Sequence, residues 1–247
     1  MVAAAAVLLP LYIWPKAPSG GNAWQPVLNS AAAYPSLQFT VIVNPSSGPG
    51  DWPNPDYAEA IAQLNALPNI QTVGYVDTAQ VNVPGGPYTI EKIGKDIATY
   101  ANEPSIDLQG IFFDDVNNVY SDSVELLLEQ AVNQTKAAEG LGNPRTTIIN
   151  PGTRPNFVTP NVDISLSFES PWAHYQTPES REWLAGNPYD RDHTAYVVFG
   201  APAGDVASIT TELRTNASYL YVTDTVDNPY SSFGSSWDAF IAAMAAE

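Results

Sequence analysis

The chain has 247 residues, of which 45% are hydrophobic and 11% aromatic, so it can bury one core of barrel size and is not a disordered sequence. Its 26 acidic and 9 basic residues give a net charge of −17, which disfavours nucleic acid and anionic membranes as partners. This charge favours a neutral or cationic substrate, unless it only maintains solubility in an acidic medium. The absence of cysteine excludes disulfides, thiolate nucleophiles and cysteine-ligated metal sites.

Strand and helix patterns alternate along the chain. Eight runs are almost continuously apolar, which is typical of strands buried on both faces of a parallel sheet. Helical patterns fill most of the gaps, one of them with Ser121 as a candidate cap and Gly140 as a candidate stop. In chain order the predicted elements are strand 7–14, strand 38–44, helix 55–67, strand 70–77, helix 89–101, strand 108–115, helix 121–140, strand 146–150, strand 162–169, helix 178–186, strand 194–200, helix 203–217, strand 218–224 and helix 235–246.

This alternation predicts an α/β fold, a (β/α)8 TIM barrel that forms a single domain over residues 1–247. The fifth unit is the weakest, because only 11 residues separate Asn150 from Val162. We therefore expect a degenerate fifth crossover with a single helical turn at most. An open, doubly wound sheet is the alternative architecture.

Polar and aromatic residues follow the predicted strands, at the face of such a barrel where active sites lie. Aromatic rings stack on the C–H faces of sugars and paired carboxylates cleave glycosidic bonds, whereas a phosphate site would need glycine-rich turns with Lys or Arg. The predicted catalytic residues are Asp114, Asp115 and Glu169. The predicted substrate-binding residues are Tyr12, Trp14, Asn44, Tyr75, Asn150, Trp172, Tyr221 and Asp224.

Asp114 and Glu169 form the most informative pair. They end the fourth and sixth predicted strands, which stand about 10 Å apart, and side chains that lean inward would bring the carboxyl groups to about 5 to 6 Å. A separation of roughly 5–5.5 Å suits a retaining glycosidase and roughly 6.5–9.5 Å an inverting one, so both outcomes stay open. The neighbouring Asp115 has either a supporting role or a solvated, capping one. An Asp at a strand end, such as Asp77 or Asp224, usually caps a helix or binds a loop.

Other chemistries lack their characteristic residues. His174 and His193 stand apart without the spacing of a zinc site, and the sequence has no GxSxG elbow, GxGxxG or P-loop. Residues 44–55 are too rich in proline to cradle phosphate, and we interpret them as a rim loop. We predict neither a metal ion nor a cofactor. A calcium site built from Asp114, Asp115 and Asn117 is the alternative.

Six segments resemble those of one known family. They are LLPLYIWP, VIVNPSSGPG, TVGYVDT, GIFFDD, IINPGT and SFES, and they appear in order along nearly the whole chain. The chain thus resembles the fungal spherulin 4-like, or spherulation-specific, family of cell-surface glycoside hydrolases. The resemblance implies a (β/α)8 barrel and an endo-acting α-1,4-N-acetylgalactosaminidase that cuts galactosaminogalactan, a secreted fungal exopolysaccharide.

The resemblance also implies roles for three carboxylates. The family has an Asp-Glu pair at the end of the fourth strand and a Glu at the end of the sixth, which correspond to Asp114, Asp115 and Glu169; the chain departs from the family at Asp115, where Glu is usual. In α-linked N-acetylgalactosamine the acetamido group is cis to the leaving group and cannot assist, so a retaining route needs an enzyme nucleophile. We hypothesise that Asp114 is the nucleophile and Glu169 the acid/base.

Two other function classes stay open. A non-catalytic glycan-binding or spore-coat protein would keep the barrel, and the departure at Asp115 favours that interpretation. A hydrolase of a related galactosamine-containing glycan would keep Asp114 and Glu169. We expect a secreted or cell-surface monomer that binds a neutral to cationic polysaccharide and neither nucleic acid nor membrane. We also expect that its secretion signal was removed and that Met1 was supplied for expression.

Overall fold

Eight parallel strands close into a barrel in sequence order, each strand pairing with the next and the last with the first. The computed structural model describes residues 4–78, 89–103 and 106–246, so that Met1 lies outside the described residues. The predicted (β/α)8 barrel is confirmed, and the open, doubly wound alternative is wrong. The strands are β1 Ala6–Leu11, β2 Phe39–Val43, β3 Ile70–Asp77, β4 Gly110–Asp114, β5 Thr146–Ile149, β6 Ile164–Pro171, β7 Thr194–Phe199 and β8 Tyr219–Val222.

Helices cover the outside of this barrel. The degenerate fifth crossover is confirmed, because no helix lies between β5 and β6, a stretch that the structure describes in full. Two short 3-10 segments cover Arg191–His193 and Ala203–Asp205. The α-helices are α1 Gln25–Ala33, α2 Pro55–Asn65, α3 Ile90–Ala101, α4 Asp122–Ala137, α5 Trp172–Tyr175, α6 Pro178–Ala185, α7 Val206–Leu213 and α8 Trp237–Ala245.

Helices α1 and α5 have no predicted counterpart, and α4 ends before its predicted stop. The sequence analysis did not predict α1, whose buried residues include only one large side chain, Val27, beside Ser30 and Ala31, so its apolar stripe is weak. Helix α4 ends at Ala137, before the predicted stop at Gly140. A Cβ at Gly140 would lie 1.8 Å from the carbonyl oxygen of Ala101. Glycine is therefore needed there for a close approach to the end of α3 rather than to end a helix.

The barrel and its helices share one apolar core that contains more than half of the strand residues. Large aromatic side chains contribute much of it, including the fully buried Trp24, Tyr57, Tyr100 and Phe240. Burial of this surface provides the main driving force for folding. Among the described residues, no helix is both long and apolar enough to cross a membrane.

The strand register places two carboxylates at the C-terminal edge of the barrel. Asp114 ends β4, and its Cα pairs with that of Asp77 at the end of β3. Glu169 lies near the end of β6, shortly after an irregularity of the β6–β7 pairing between Leu166 and Phe168. An irregularity of this kind re-aims the side chains that follow it.

Candidate active site

The side-chain amide of Asn150 bridges Asp114 and Glu169, the two carboxylates that were paired on sequence grounds. The side-chain nitrogen of Asn150, which follows β5, donates hydrogen bonds to Asp114 Oδ1 at 2.7 Å and to Glu169 Oε2 at 2.5 Å. The amide oxygen of Asn150 accepts a hydrogen bond from the backbone N–H of Gly152 at 2.8 Å. Because that N–H can only donate, the amide orientation is set and both of its N–H groups face the carboxylates.

These two hydrogen bonds limit the separation of the carboxylates. Two oxygens bonded to one nitrogen at 2.7 and 2.5 Å stand at most about 5 Å apart. This limit applies to Asp114 Oδ1 and Glu169 Oε2, and the expected distance of about 5 to 6 Å between the two carboxyl groups stays a prediction.

Each carboxylate also accepts a hydrogen bond from one tyrosine hydroxyl. Tyr75, on β3, donates to Asp114 Oδ2, and Tyr230, in the loop after β8, donates to Glu169 Oε1. Burial and the adjacent carboxylates raise the pKa of both tyrosines well above that of a free tyrosine. Both hydroxyls therefore stay protonated and remain donors at neutral pH.

The ring of Tyr12 completes this cluster. Tyr12 follows β1 and meets Tyr75 edge-on at 5.8 Å and Tyr230 at 5.3 Å between ring centroids. Burial, followed by the charges of Asp114 and Glu169, raises its pKa. The carboxylates thus lie against an aromatic wall, with hydroxyl groups at its polar edge.

The environment of Asp114 favours its protonated form. Burial raises the pKa of Asp114 to about 6, and the charges of Glu169 and Asp115 also raise it, whereas the hydrogen bonds from Tyr75 and Asn150 lower it. Desolvation disfavours the charged carboxylate more strongly than the donors favour it. Asp114 therefore changes its charge between pH 5 and 7, where most aspartates are fully ionised.

The carboxylates line an open cavity of about 370 Å³ at the C-terminal face of the barrel. A space of this size is large enough to admit a sugar residue. Besides Asp114 and Glu169, its lining comprises Asp115, Val116, Asn150, Pro151 and Gly152. The chemistry-bearing groups thus converge on a site that is accessible to a ligand.

Comparison with known proteins identifies the relatives of this barrel. The sequence profile named Spherulin4, spherulation-specific family 4, matches residues 6–244. The chain belongs to spherulation-specific family 4. The resemblance that the sequence motifs indicated is thereby confirmed. None of the curated proteins matches the chain significantly.

Solved structures agree with this family membership. Sph3 of Aspergillus clavatus, crystallised in complex with GalNAc, is similar over 100% of both chains, with 28% identity and a TM-score of 0.89. A GH113 β-1,4-mannanase is similar over 100% of both chains, with 10% identity and a TM-score of 0.58. PbGH5A of Prevotella bryantii B14, a glycoside hydrolase of family 5, matches with 12% identity and a TM-score of 0.54, covering 99% of this chain and 96% of its own. The last two show that this family 4 member shares its fold with glycoside hydrolases.

Asp115 lies in the same cavity but outside the bonded pair. Its side chain is exposed, and its backbone has the left-handed conformation with φ of 55°. Asp and Asn tolerate this conformation better than other non-glycine residues. The turn lets Val116 bury its side chain while its N–H donates to the carbonyl oxygen of Asn150. Partial desolvation and the nearby Asp77 raise the pKa of Asp115.

Two predicted binding residues lie at the rim, away from the described lining of this cavity. Trp14 is exposed, and its indole N–H donates to Asp56 at the start of α2, 3.3 Å away. Asn44 accepts a hydrogen bond from the N–H of Gly48 at 3.2 Å and stabilises the turn after β2. Asn44 thus stabilises the predicted rim loop through this hydrogen bond. Trp14 is exposed at the surface, where a ligand could contact its ring.

Three other predicted binding residues have structural contacts instead. Trp172 is buried and stacks on Tyr175 at 5.3 Å, and Tyr221 is buried with its ring against Phe240 of α8. Asp224 accepts hydrogen bonds from the backbone N–H and hydroxyl groups of Ser235 and Ser236, at 2.5 to 3.3 Å. In this structure Trp172 and Tyr221 belong to the core and Asp224 anchors the loop that precedes α8, and substrate binding by these three residues stays a prediction.

Tyr230 is the site residue that the sequence analysis missed. It lies in the loop between β8 and α8, which belongs to the catalytic face of any (β/α)8 barrel. An aromatic residue in this long loop is the signal that would have identified it. Tyr230 lies in the middle of this loop and not at a strand end, where the predicted site residues are concentrated.

The histidines and the alternative calcium ligands are engaged locally. The Nδ1 atoms of His174 and His193 lie 2.7 Å from Ser170 Oγ and from Asp190 Oδ1, respectively. Asn117 accepts a hydrogen bond from the N–H of Val119 at 2.9 Å. Within the part of the chain that the structure describes, no three His, Asp or Glu residues are grouped to hold a metal ion.

Proposed function

We propose that the chain is a retaining glycoside hydrolase that cleaves α-1,4-linked N-acetylgalactosamine within galactosaminogalactan. The observation that carries the proposal is the pair Asp114 and Glu169, bridged by Asn150 and supplied with one tyrosine hydroxyl each. The similarity to Sph3, which was crystallised with GalNAc, supports the choice of sugar.

The carboxylate separation supports retention of anomeric configuration. Retaining enzymes hold their carboxyl groups roughly 5–5.5 Å apart, because one of them attacks the sugar directly. The shared hydrogen bonds of Asn150 bring the nearest oxygens of the pair to about 5 Å or less. An inverting mechanism needs a larger gap that admits the attacking water.

In this mechanism Asp114 attacks the anomeric carbon while Glu169 donates its proton to the leaving glycosidic oxygen. The bond from C1 to that oxygen breaks as the bond from C1 to Asp114 forms. Glu169, now ionised, then takes a proton from water, and the hydroxide displaces Asp114 from C1. The hydrogen bonds from Tyr75 and Asn150 stabilise the carboxylate form of Asp114 both before attack and after release.

Mass spectrometry of soluble products tests this function. Wild type incubated with galactosaminogalactan should release N-acetylgalactosamine oligomers, and Asp114→Asn and Glu169→Gln should release none while they remain folded. Glu139→Gln removes an exposed carboxylate beyond the end of α4 and should act as wild type. Absence of products from wild type would contradict the proposal.

A glycan-binding protein without turnover is the second candidate. The observation in its favour is that Asp115, at the position where Glu is usual in the family, is exposed and separate from the bonded pair. Binding of the polymer by wild type without product release would support this candidate. Gain of turnover by Asp115→Glu would then show that the shorter side chain is the cause.

A further inference from the structure

A second cavity adjoins the one that contains the carboxylates. It has a volume of about 180 Å³ and lies between the loop after β5, the end of β6 and the start of α6. Side chains of both aromatic and polar types line it. Its lining includes Gly152, Thr153, Ser170, His174, Glu179 and Trp183.

Gly152 lies between the two cavities and lines both. Its φ is 66°, and a Cβ at this position would meet no atom within 4 Å, so it would project into open space. The backbone oxygen of Gly152 accepts a hydrogen bond from the N–H of Glu169 at 3.0 Å. The two cavities thus meet at Gly152, next to a predicted catalytic residue, and no side chain at position 152 extends between them.

The indole of Trp183 is both exposed and held in place. Its side chain is 44% exposed, whereas tryptophan side chains are usually largely buried. Its N–H donates to Thr153 Oγ1 at 3.0 Å, and the guanidinium of Arg154 covers the ring at 4.0 Å. Arg154 itself packs against the backbone of Gly186, where a Cβ would lie 1.7 Å from Nη1. The ring therefore loses little freedom when a ligand binds.

Polar groups line the same cavity as this ring. Ser170 Oγ and His174 Nδ1 are 2.7 Å apart and leave Nε2 of the imidazole for another partner. Glu179, at the start of α6, adds a carboxylate that accepts hydrogen bonds from hydroxyl or ammonium groups. Arg154 is not among the described residues that line the cavity. An aromatic surface beside a few convergent polar groups is the usual form of a sugar-binding pocket.

We infer that this cavity is a second subsite, in which a pyranose residue of the polymer stacks on Trp183 while another residue of the same chain occupies the site at Asp114 and Glu169. The inference rests on the proposed function, because it assigns the neighbouring sugar of the same substrate. The carboxylate of Glu179 suits an amino sugar, in its acetylated or its free ammonium form. The subsite contributes binding to long chains and none to chains too short to reach it.

Hydrolysis of α-1,4-linked N-acetylgalactosamine oligomers of defined length tests the subsite. Trp183→Ala should lower kcat/KM on long oligomers about tenfold and leave it unchanged on the shortest oligomer that wild type cleaves. Trp183→Phe should recover part of the loss, because it keeps an aromatic face. Tyr34→Ala removes an exposed aromatic ring beyond the end of α1 and should behave as wild type at every length. An equal effect of Trp183→Ala at all lengths, or none at any, would overturn the inference.

Calorimetric binding of the same oligomers distinguishes this inference from the proposed function. In the Glu169→Gln background, Trp183→Ala should weaken binding of long oligomers about tenfold. If Trp183→Ala weakens binding but wild type shows no turnover, the subsite proposal stands and the proposed hydrolase activity is refuted. Turnover that does not depend on Trp183 would refute the subsite alone. Absence of any oligomer binding would refute both.

Discussion

The hydroxyl of Tyr230 donates a hydrogen bond to Glu169, although 61 residues separate them in the chain. The bond joins the loop after β8 to the end of β6 and matches the bond from Tyr75 to Asp114. Each carboxylate of the pair thus has a tyrosine donor and shares Asn150. Because the two carboxylates have matching hydrogen-bond partners, these bonds do not distinguish the nucleophile from the acid/base. Other groups around Asp114 and Glu169 must make that difference.

Removal of the Tyr230 hydroxyl tests its part in the reaction. Tyr230→Phe should lower kcat about 10- to 100-fold, because a hydrogen bond to a charged group contributes roughly 1.5–3 kcal/mol. The temperature of unfolding should change little, since the ring contact with Tyr12 remains. Steady-state kinetics on the polymer measure the effect, with Tyr34→Phe as the exposed control. Full activity of Tyr230→Phe would show that the hydroxyl only fills space.

The charge of Asp114 predicts how activity depends on pH. A nucleophile must be ionised, and the pKa of Asp114 is raised to about 6. The single-turnover rate of glycosyl-enzyme formation should therefore rise as the pH increases through about 6. A rate that instead falls through this range would contradict this expectation, and trapping of the covalent adduct on Glu169 would then assign Glu169 as the nucleophile and Asp114 as the proton donor.

The same pKa predicts a cost in stability. The pKa of Asp114 is higher in the folded protein than the 3.8 of a free carboxyl, so the folded state is favoured at low pH and loses this advantage as the pH rises from about 4 to 6. Asp114→Asn should then be more stable than wild type at pH 7, by up to about 3 kcal/mol, and equal to it near pH 4. Urea unfolding at both pH values measures the difference. A less stable variant at pH 7 would show that the hydrogen bonds outweigh desolvation.

Asp224 should act on the site through the loop it anchors. Asp224→Ala removes the acceptor for Ser235 and Ser236 and should destabilise the protein by about 1–2 kcal/mol. Because the same loop carries Tyr230, kcat should fall as well. Thermal unfolding and kinetics should be measured together. A higher KM with unchanged stability would instead support the prediction that Asp224 contacts substrate.

The acidic surface predicts a dependence on salt. A net charge of −17 should attract a partly deacetylated, cationic polymer, and ions screen this attraction. The value of kcat/KM on the deacetylated polymer should fall about threefold to tenfold between roughly 0.05 and 0.5 M salt. Fully acetylated polymer is the matched control and should show little change. Equal salt dependence of both substrates would rule out electrostatic steering.

Several features of the fold could be predicted because they are local or periodic. The apolar runs that became β1 to β8 are buried on both faces, and this pattern identifies parallel strands without knowledge of their partners. The short interval between Asn150 and Val162 likewise predicted a degenerate crossover with a single helical turn at most. Helix α1 was missed because the small residues on its inner face produce little periodic signal.

The sequence by itself determined the barrel, the strand ends and the presence of Asp114, Asn150 and Glu169 at one face, because strand order and direction bring all C-terminal ends to the same edge. Only the tertiary structure decided which loop residues reach that edge. Tyr230 reaches Glu169, whereas Tyr221 packs outward on Phe240 and Asp224 anchors a loop. The direction of a side chain in a long loop depends on contacts with distant segments, and no local pattern records those contacts.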